Sequence, residues 1–285
     1  MSKLSKIKII TDSVSDLPSD LVSKWDIEVV PLSINFQEET YKDGIDITNE
    51  VFYKKLRECT TLPTTSQVNT IEFLDVYKKF YDEYDHFIVI TISSELSGTY
   101  QSAVSAGEDQ ELKDKVTVID SKGITLGQGL IVLEAARMAK RGEEKDAIIK
   151  RINNMIKKIE YILVVDTLEY LKKGGRLSAT KAFVGQTLKI KPVLTMQDGK
   201  LIQSSKIRGR KKVISWIIKQ IEKSGVDLST RTIGINHTDS KEFACQLKEK
   251  IQKKFTPKEI VFGDVGATVG THAGPGAVAV YFEKN

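Results

Sequence analysis

Apolar positions recur along this chain with two different periods. Ile7 to Ile10 and Ile27 to Ile34 are short apolar runs flanking Pro18 to Lys24, a segment that opens with Asp16 and a proline in the first turn. That order predicts strand, helix, strand. Phe73, Val76, Tyr77 and Phe80 fall at helical spacing, so Thr70 to Tyr84 is predicted as an amphipathic helix, and Asn69 with Glu72 has the spacing of a capping box. Further strands are predicted at Phe87 to Ile92 and Val116 to Asp120, with helices from about Gly98 to Ala106 and from about Leu126 to Arg141. Strands that alternate with helices predict an α/β half with a mostly parallel sheet between helix layers, and sites in such sheets gather at the carboxyl ends of strands. Asp12-Ser13, Ser93-Ser94 and Asp120-Ser121 directly follow three of the strands, so one sheet edge is expected to collect them.

The second half reads differently. Tyr161 to Val165 is a strand, Leu168 to Lys173 is a short helix stopped by Gly174-Gly175, and Pro192 to Met196 with Leu201 to Ile207 is a hairpin around Gln197-Asp198-Gly199-Lys200. Lys211 to Ser224 carries Val213, Ile214, Ile217 and Ile221 on one helical face, and strands at Thr232 to Asn236, Glu259 to Phe262 and Ala277 to Phe282 flank a helix from Ser240 to Phe255. The change of pattern sets a boundary within 157 to 166. The expected division is an N-terminal α/β domain, residues 1–160, and a C-terminal α+β domain, residues 161–285. A chain of 285 residues is long enough for both.

Composition is that of a soluble globular protein, with 40% hydrophobic and 28% charged residues. No run approaches the roughly 18 apolar residues of a membrane span, and the basic start, Met1 to Lys8, lacks the apolar core of a signal peptide. A cytoplasmic protein is expected. Cys59 and Cys245 lie in no Cys-x-x-Cys or Cys/His cluster, so neither a disulfide framework nor a metal site is expected. Charge is unevenly spread: Lys172 to Lys223 holds fourteen Lys or Arg against Asp198 and Glu222, a net +12 in a chain whose total is +5. That region suits an anionic partner, although solvated lysines on amphipathic elements give the same count. Its densest part is Lys206, Arg208, Arg210, Lys211 and Lys212. Nucleic acid is not the expected partner, because the region has no known motif and only Phe183 and Trp216 as stacking aromatics. No P-loop or glycine-rich nucleotide fingerprint is present.

The candidate chemistry lies in three polar elements: Thr64-Thr65-Ser66-Gln67, Ser93-Ser94-Glu95-Leu96-Ser97-Gly98-Thr99, and His272-Ala273-Gly274-Pro275-Gly276. Hydroxyls, free amides at a helix start and an imidazole together suit one small anion such as a carboxylate. Each also has a plainer reading. Ser97 serves equally as a helix cap, Thr65 and Ser66 as loop hydroxyls, and Gly274 and Gly276 as parts of a tight turn. His272 reads as a glycine-turn residue, His86 as a surface residue at a strand start, and His237 as a strand end that needs no ligand. An acyl or phosphoryl hydrolase using Ser97 or Ser13 with His272 and Asp12 or Asp120 is the alternative, although Ser97 lacks a Gly-x-Ser-x-Gly elbow.

Five segments carry a resemblance: Thr11-Asp12-Ser13-Val14-Ser15-Asp16-Leu17-Pro18, Thr65-Ser66-Gln67, Ser93 to Thr99, Lys173-Gly174-Gly175-Arg176-Leu177-Ser178, and His272-x-Gly-x-Gly. In this order, over nearly the whole chain, they resemble the signatures of the DegV family of bacterial fatty-acid-binding proteins. One departure is Val68, which stands where the family usually has proline and so changes the stiffness of that loop. The resemblance implies a two-domain α/β fold holding one long-chain fatty acid in a tunnel between the domains, without a cofactor. It implies a carboxyl group bound by Thr65, Ser97 and His272, with Ser66, Gly98 and Gly274 beside them. It further implies that the protein performs no chemistry alone: it carries the acid to a fatty acid kinase subunit, serving phospholipid metabolism, with Arg176, Arg208 and Arg210 on the docking surface. Such a carrier is also expected to touch the membrane surface transiently.

Overall fold

The computed structural model describes residues 5–177 and 189–285. In the first half, β1 (Ile7–Asp12), β2 (Ile27–Val30), β6 (His86–Thr91) and β7 (Val116–Asp120) form a parallel sheet in the order β2-β1-β6-β7. Around it run α1 (Ser19–Lys24), α3 (Thr70–Lys79), α4 (Thr99–Gly107), α5 (Thr125–Lys140) and α6 (Lys145–Ile156). The capping box at α3 is formed, with the Asn69 side chain accepting from Glu72 N and the Glu72 carboxylate from Asn69 N. The expected strand Ile27 to Ile34 is instead two strands in two sheets. Pro31, which has no N–H to donate, ends β2, and the chain re-enters as β3 (Ser33–Phe36) of a small sheet with β4 (Glu39–Lys42) and β5 (Thr64–Ser66). Between β4 and β5 lies α2 (Asn49–Glu58), an element not among those expected, which buries Phe52, Tyr53 and Leu56 on one face.

The second half contains β8 (Ile159–Val164), α7 (Glu169–Lys173), β9 (Ile190–Gln197), β10 (Lys200–Arg208), α8 (Val213–Ser224), β11 (Thr232–His237), α9 (Lys241–Phe255), β12 (Glu259–Asp264), α10 (Ala267–Ala273) and β13 (Val278–Glu283). Its strands form a mixed sheet in the order β10-β9-β8-β13-β11-β12. The β9–β10 hairpin turns at Asp198 and Gly199, both with φ above zero (51° and 79°), as a two-residue hairpin turn requires.

Alternation along this sheet divides its residues between two cores. Ile162, Val164, Val278, Val280 and Phe282 face α8 and α9, whereas Leu163, Val165, Ala277, Ala279 and Tyr281 face the first half. α5 fills the space between the sheets. It is apolar on most sides and touches β1 and β6 as well as β8, β11 and β13. Expected positions of Asp12, Ser93, Ser94 and Asp120 at one sheet edge are found, but His86 is buried, with Nε2 2.9 Å from Thr117 Oγ1, and not on the surface. Its strand is interior, and β-strand burial is invisible in the acids that precede it. No helix among the described residues is long and apolar enough to cross a membrane.

Candidate functional site

Between the inner face of the second sheet and the first half lies a cavity of about 380 Å³, a volume typical of small-molecule sites. Leu163, Val165, Leu194 and Leu201 line one side of its floor, and Ala279 on the central strand β13, with Ala277 just before it, gives it depth. Ala279 pairs with Leu163 on β8 and with Asn236 on β11. The only sequence signal for this floor was the alternation Ala277-Val278-Ala279-Val280, which sends two small residues to one face and two larger ones to the other.

At one end the wall becomes polar, and the groups there form a closed circuit. His272 Nε2 lies 2.8 Å from Thr65 Oγ1. Val68 N donates to Thr99 Oγ1 at 3.3 Å, and Thr99 Oγ1 lies 3.0 Å from Ser97 Oγ. Thr65 and Ser66 lie on β5 and not in a loop, and the valine just after that strand supplies a bond to the start of α4 that a proline at 68 could not make. Arg176 closes the ring, donating through Nη1 to Gly174 O at 2.7 Å and through Nε to Leu96 O at 3.4 Å. Gly174 rests on the imidazole so closely that an added Cβ would lie 2.2 Å from His272 Nδ1. Replacing Gly174 by alanine is therefore expected to displace the ring. The Gly174→Ala protein should show an altered His272 imidazole signal by NMR and a lowered unfolding temperature, and an unchanged signal would count against this packing.

His272 does not sit in a turn. It occupies the last turn of α10, a helix of seven residues flanked by Gly266 and Gly274, too short and too glycine-rich to register as a periodic pattern. Burial, aided by the nearby Arg176 charge, pushes its pKa down to about 4. The imidazole is therefore neutral near pH 7. Its Nδ1 is buried with no partner, so the tautomer protonated at Nε2 is favoured, since it leaves only a lone pair unmet. Nε2–H then donates to Thr65, which frees the Thr65 hydroxyl proton for a ligand. An NMR titration of the ligand-free protein should give a His272 midpoint near 4, moving upward when a carboxylate is bound beside it. A midpoint near the ordinary histidine value would exclude the buried neutral ring.

The remaining expected site residues divide clearly. Ser66, Ser97, Gly98 and Arg176 line the cavity with Thr65 and His272. Ser66 Oγ already accepts from Asn35 Nδ2 at 3.0 Å, and Gly98 lies where a Cβ would strike the Gln67 side chain. Gly274 ends α10 at φ +68°, packed against the Tyr170 ring. Arg208 is exposed on β10, away from the cavity wall. Arg210 is committed inside the chain: its guanidinium donates to Gly276 O at 2.9 Å, Asp166 at 3.2 Å and Ser240, and lies over the Phe243 ring. Ser178 and Phe183 fall outside the described residues.

The serine hydrolase arrangement is absent from these contacts. A nucleophile and its base must share a hydrogen bond, but Ser97 bonds Thr99, His272 bonds Thr65, and Ser13 bonds Asp43 and Leu32 N. Asp12 is spent on Val14 N, Ile92 N and Gln128, and Asp120 on Ser94 and Lys122 N. His237 lines the cavity but its Nδ1 accepts from Ser240 N at the start of α9. No cluster of potential metal ligands occurs among the described residues.

Comparison with known proteins agrees over the whole length. The family model described as an uncharacterised protein of the DegV family matches residues 6–285. A DegV domain-containing protein of Caldanaerobacter subterraneus subsp. tengcongensis is 44% identical over 281 residues, covering 99% of this chain and 100% of that protein. A Thermus thermophilus DegV family protein described for its fatty acid binding superposes with a TM-score of 0.91 at 33% identity, covering 98% of this chain and 100% of that one. DegV of Bacillus subtilis, described as a fatty acid binding protein, superposes with a TM-score of 0.88 at 34% identity, covering 99% and 100%.

Proposed function

The chain belongs to the DegV family, and on that premise we propose that it binds one long-chain fatty acid, with the acyl chain in the cavity and the carboxylate at Thr65, Ser97 and His272. The observation that carries the reading is an apolar cavity between the two halves that ends at the Thr65–His272 pair. The Thr65 hydroxyl, whose proton His272 frees, and the Ser97 hydroxyl meet lone pairs of a carboxylate without a metal. Burial of some fifteen methylenes contributes a gross term of about 12 kcal/mol, so the tail supplies affinity and the head group orientation. The fatty acid binding of the Thermus thermophilus and Bacillus subtilis relatives supports the same reading.

In this proposal the protein is a carrier and not an enzyme. It presents the carboxyl group to a separate kinase subunit that forms the acyl phosphate. The head-group end is the place for such a partner, because Arg176 is exposed there beside Gly174. Arg208 is the second candidate for docking, and Arg210 stays in the proposal only as support for the Gly276 loop. The division at residues 160 and 161 and a cytoplasmic location belong to the same proposal.

Solvent extraction of the purified protein, followed by mass spectrometry, tests the binding reading. One fatty acid per chain is expected. A clean extract, repeated after offering palmitate and oleate, would overturn it.

A further inference from the structure

None of residues 11–18, the first of the five signature segments, lines the cavity. Their place is at the far end of the helix that carries His272. Asp16 Oδ1 accepts Gly266 N at 2.9 Å, while Asp43 accepts Ala267 N at 3.0 Å through Oδ1 and Thr268 N at 3.1 Å through Oδ2. Successive N–H groups at the start of α10, unpaired within any helix, are thus taken by two carboxylates from the first half. Ser13 Oγ donates to Asp43 Oδ2 at 3.3 Å and accepts Leu32 N at 3.1 Å, tying the pair to the loop after β1. An added Cβ on Gly266 would lie 2.9 Å from Asp16 Oδ1 and 3.3 Å from both Asp43 oxygens, so the glycine is what lets the acids approach.

This is a costly way to begin a short helix. Burial pushes the pKa of both acids upward, against the hydrogen bonds they receive. A serine or threonine at the cap would meet one of the free N–H groups without burying two acids. The gain is leverage on the other end. Thr268, Val269 and His272 on α10 line the cavity. With a rise of 1.5 Å per residue, His272 stands about 7 Å from the helix start, so a tilt of about 10° there moves it by about 1 Å. That displacement suffices to break the contact with Thr65.

We propose that Asp43, with Asp16 and Ser13, is a positioning residue for the carboxylate site: it fixes the start of α10 and thereby holds His272 against Thr65. The role in ligand binding rests on the fatty acid reading above, whereas the coupling of Asp43 to His272 does not. The test is a double-mutant cycle on palmitate affinity with Asp43→Asn, His272→Gln and the combination, measured well below each unfolding temperature, together with the His272 imidazole NMR signal. Each single substitution is expected to weaken palmitate binding by about tenfold, the pair no more than the weaker single, and the His272 signal should shift in Asp43→Asn. A purely structural acid would lower the unfolding temperature yet leave that signal unchanged and the two losses multiplicative, which overturns the proposal. If Asp43→Asn does not fold, Ser13→Ala and Gly266→Ala enter the same cycle. Should the wild-type protein bind no palmitate, the fatty acid reading fails, and the imidazole signal alone decides the positioning role.

Discussion

Ala279→Phe is expected to abolish retention of palmitate and oleate while leaving the protein folded. Ala279 is 6% exposed and lies in the cavity floor between Leu163 and Asn236. A ring built from this position extends into the cavity that Ala279 lines. Excluding as few as five methylenes removes about 4 kcal/mol of burial, about a thousandfold in affinity. A bulky residue in a filled core costs about 1–3 kcal/mol through strain, but here the ring occupies open space, so the unfolding temperature should move by only a few degrees. The measurement is lipid content by extraction and mass spectrometry, alongside thermal unfolding. Full-length fatty acid recovered from the folded variant would mean that the acyl chain does not lie on this floor.

The second large effect is expected at the head group. Thr65→Val keeps the shape of the side chain and removes the hydroxyl that lies 2.8 Å from His272 Nε2. A hydrogen bond to a charged group is worth about 1.5–3 kcal/mol, so palmitate affinity should fall about 10- to 100-fold. The wild-type protein should prefer palmitate over hexadecanol, and the variant should lose much of that preference, because the lost bond belongs to the carboxylate. Leaving the buried imidazole without a partner should also lower the unfolding temperature. Ser66→Ala is the control: Ser66 is exposed, so water competes for its hydroxyl and a small effect is expected. Equal loss of palmitate and hexadecanol in Thr65→Val would show that Thr65 supports the cavity wall and not the carboxylate.

Local chemistry was legible along the chain wherever a feature is completed by its near neighbours. The capping box at Asn69 and Glu72, the hairpin turn at Asp198 and Gly199, and the apolar faces of α3 and α8 all depend on residues within a few positions of one another. The five signature segments likewise marked Thr65, Ser97 and His272 as a set, because the resemblance rests on their order and spacing.

What the sequence could not decide is what depends on distant partners. The run Ile27 to Ile34 reads as one strand until Pro31 is seen to hand the chain to another sheet. His86 is buried by a neighbouring strand, and Arg210, one more basic residue in a basic run, is fixed by Asp166, Ser240 and Gly276. α10 is the clearest case: its seven residues carry no periodic signal, and it is placed by Asp16 and Asp43, more than two hundred positions earlier in the chain. Composition and period therefore determined most of the long elements and which residues have the chemistry to bind an anion. The tertiary structure alone decided that Thr65 and His272 touch and that Ala277 and Ala279 face open space, because contact and cavity are set by the packing of remote segments, a quantity no local window of sequence contains.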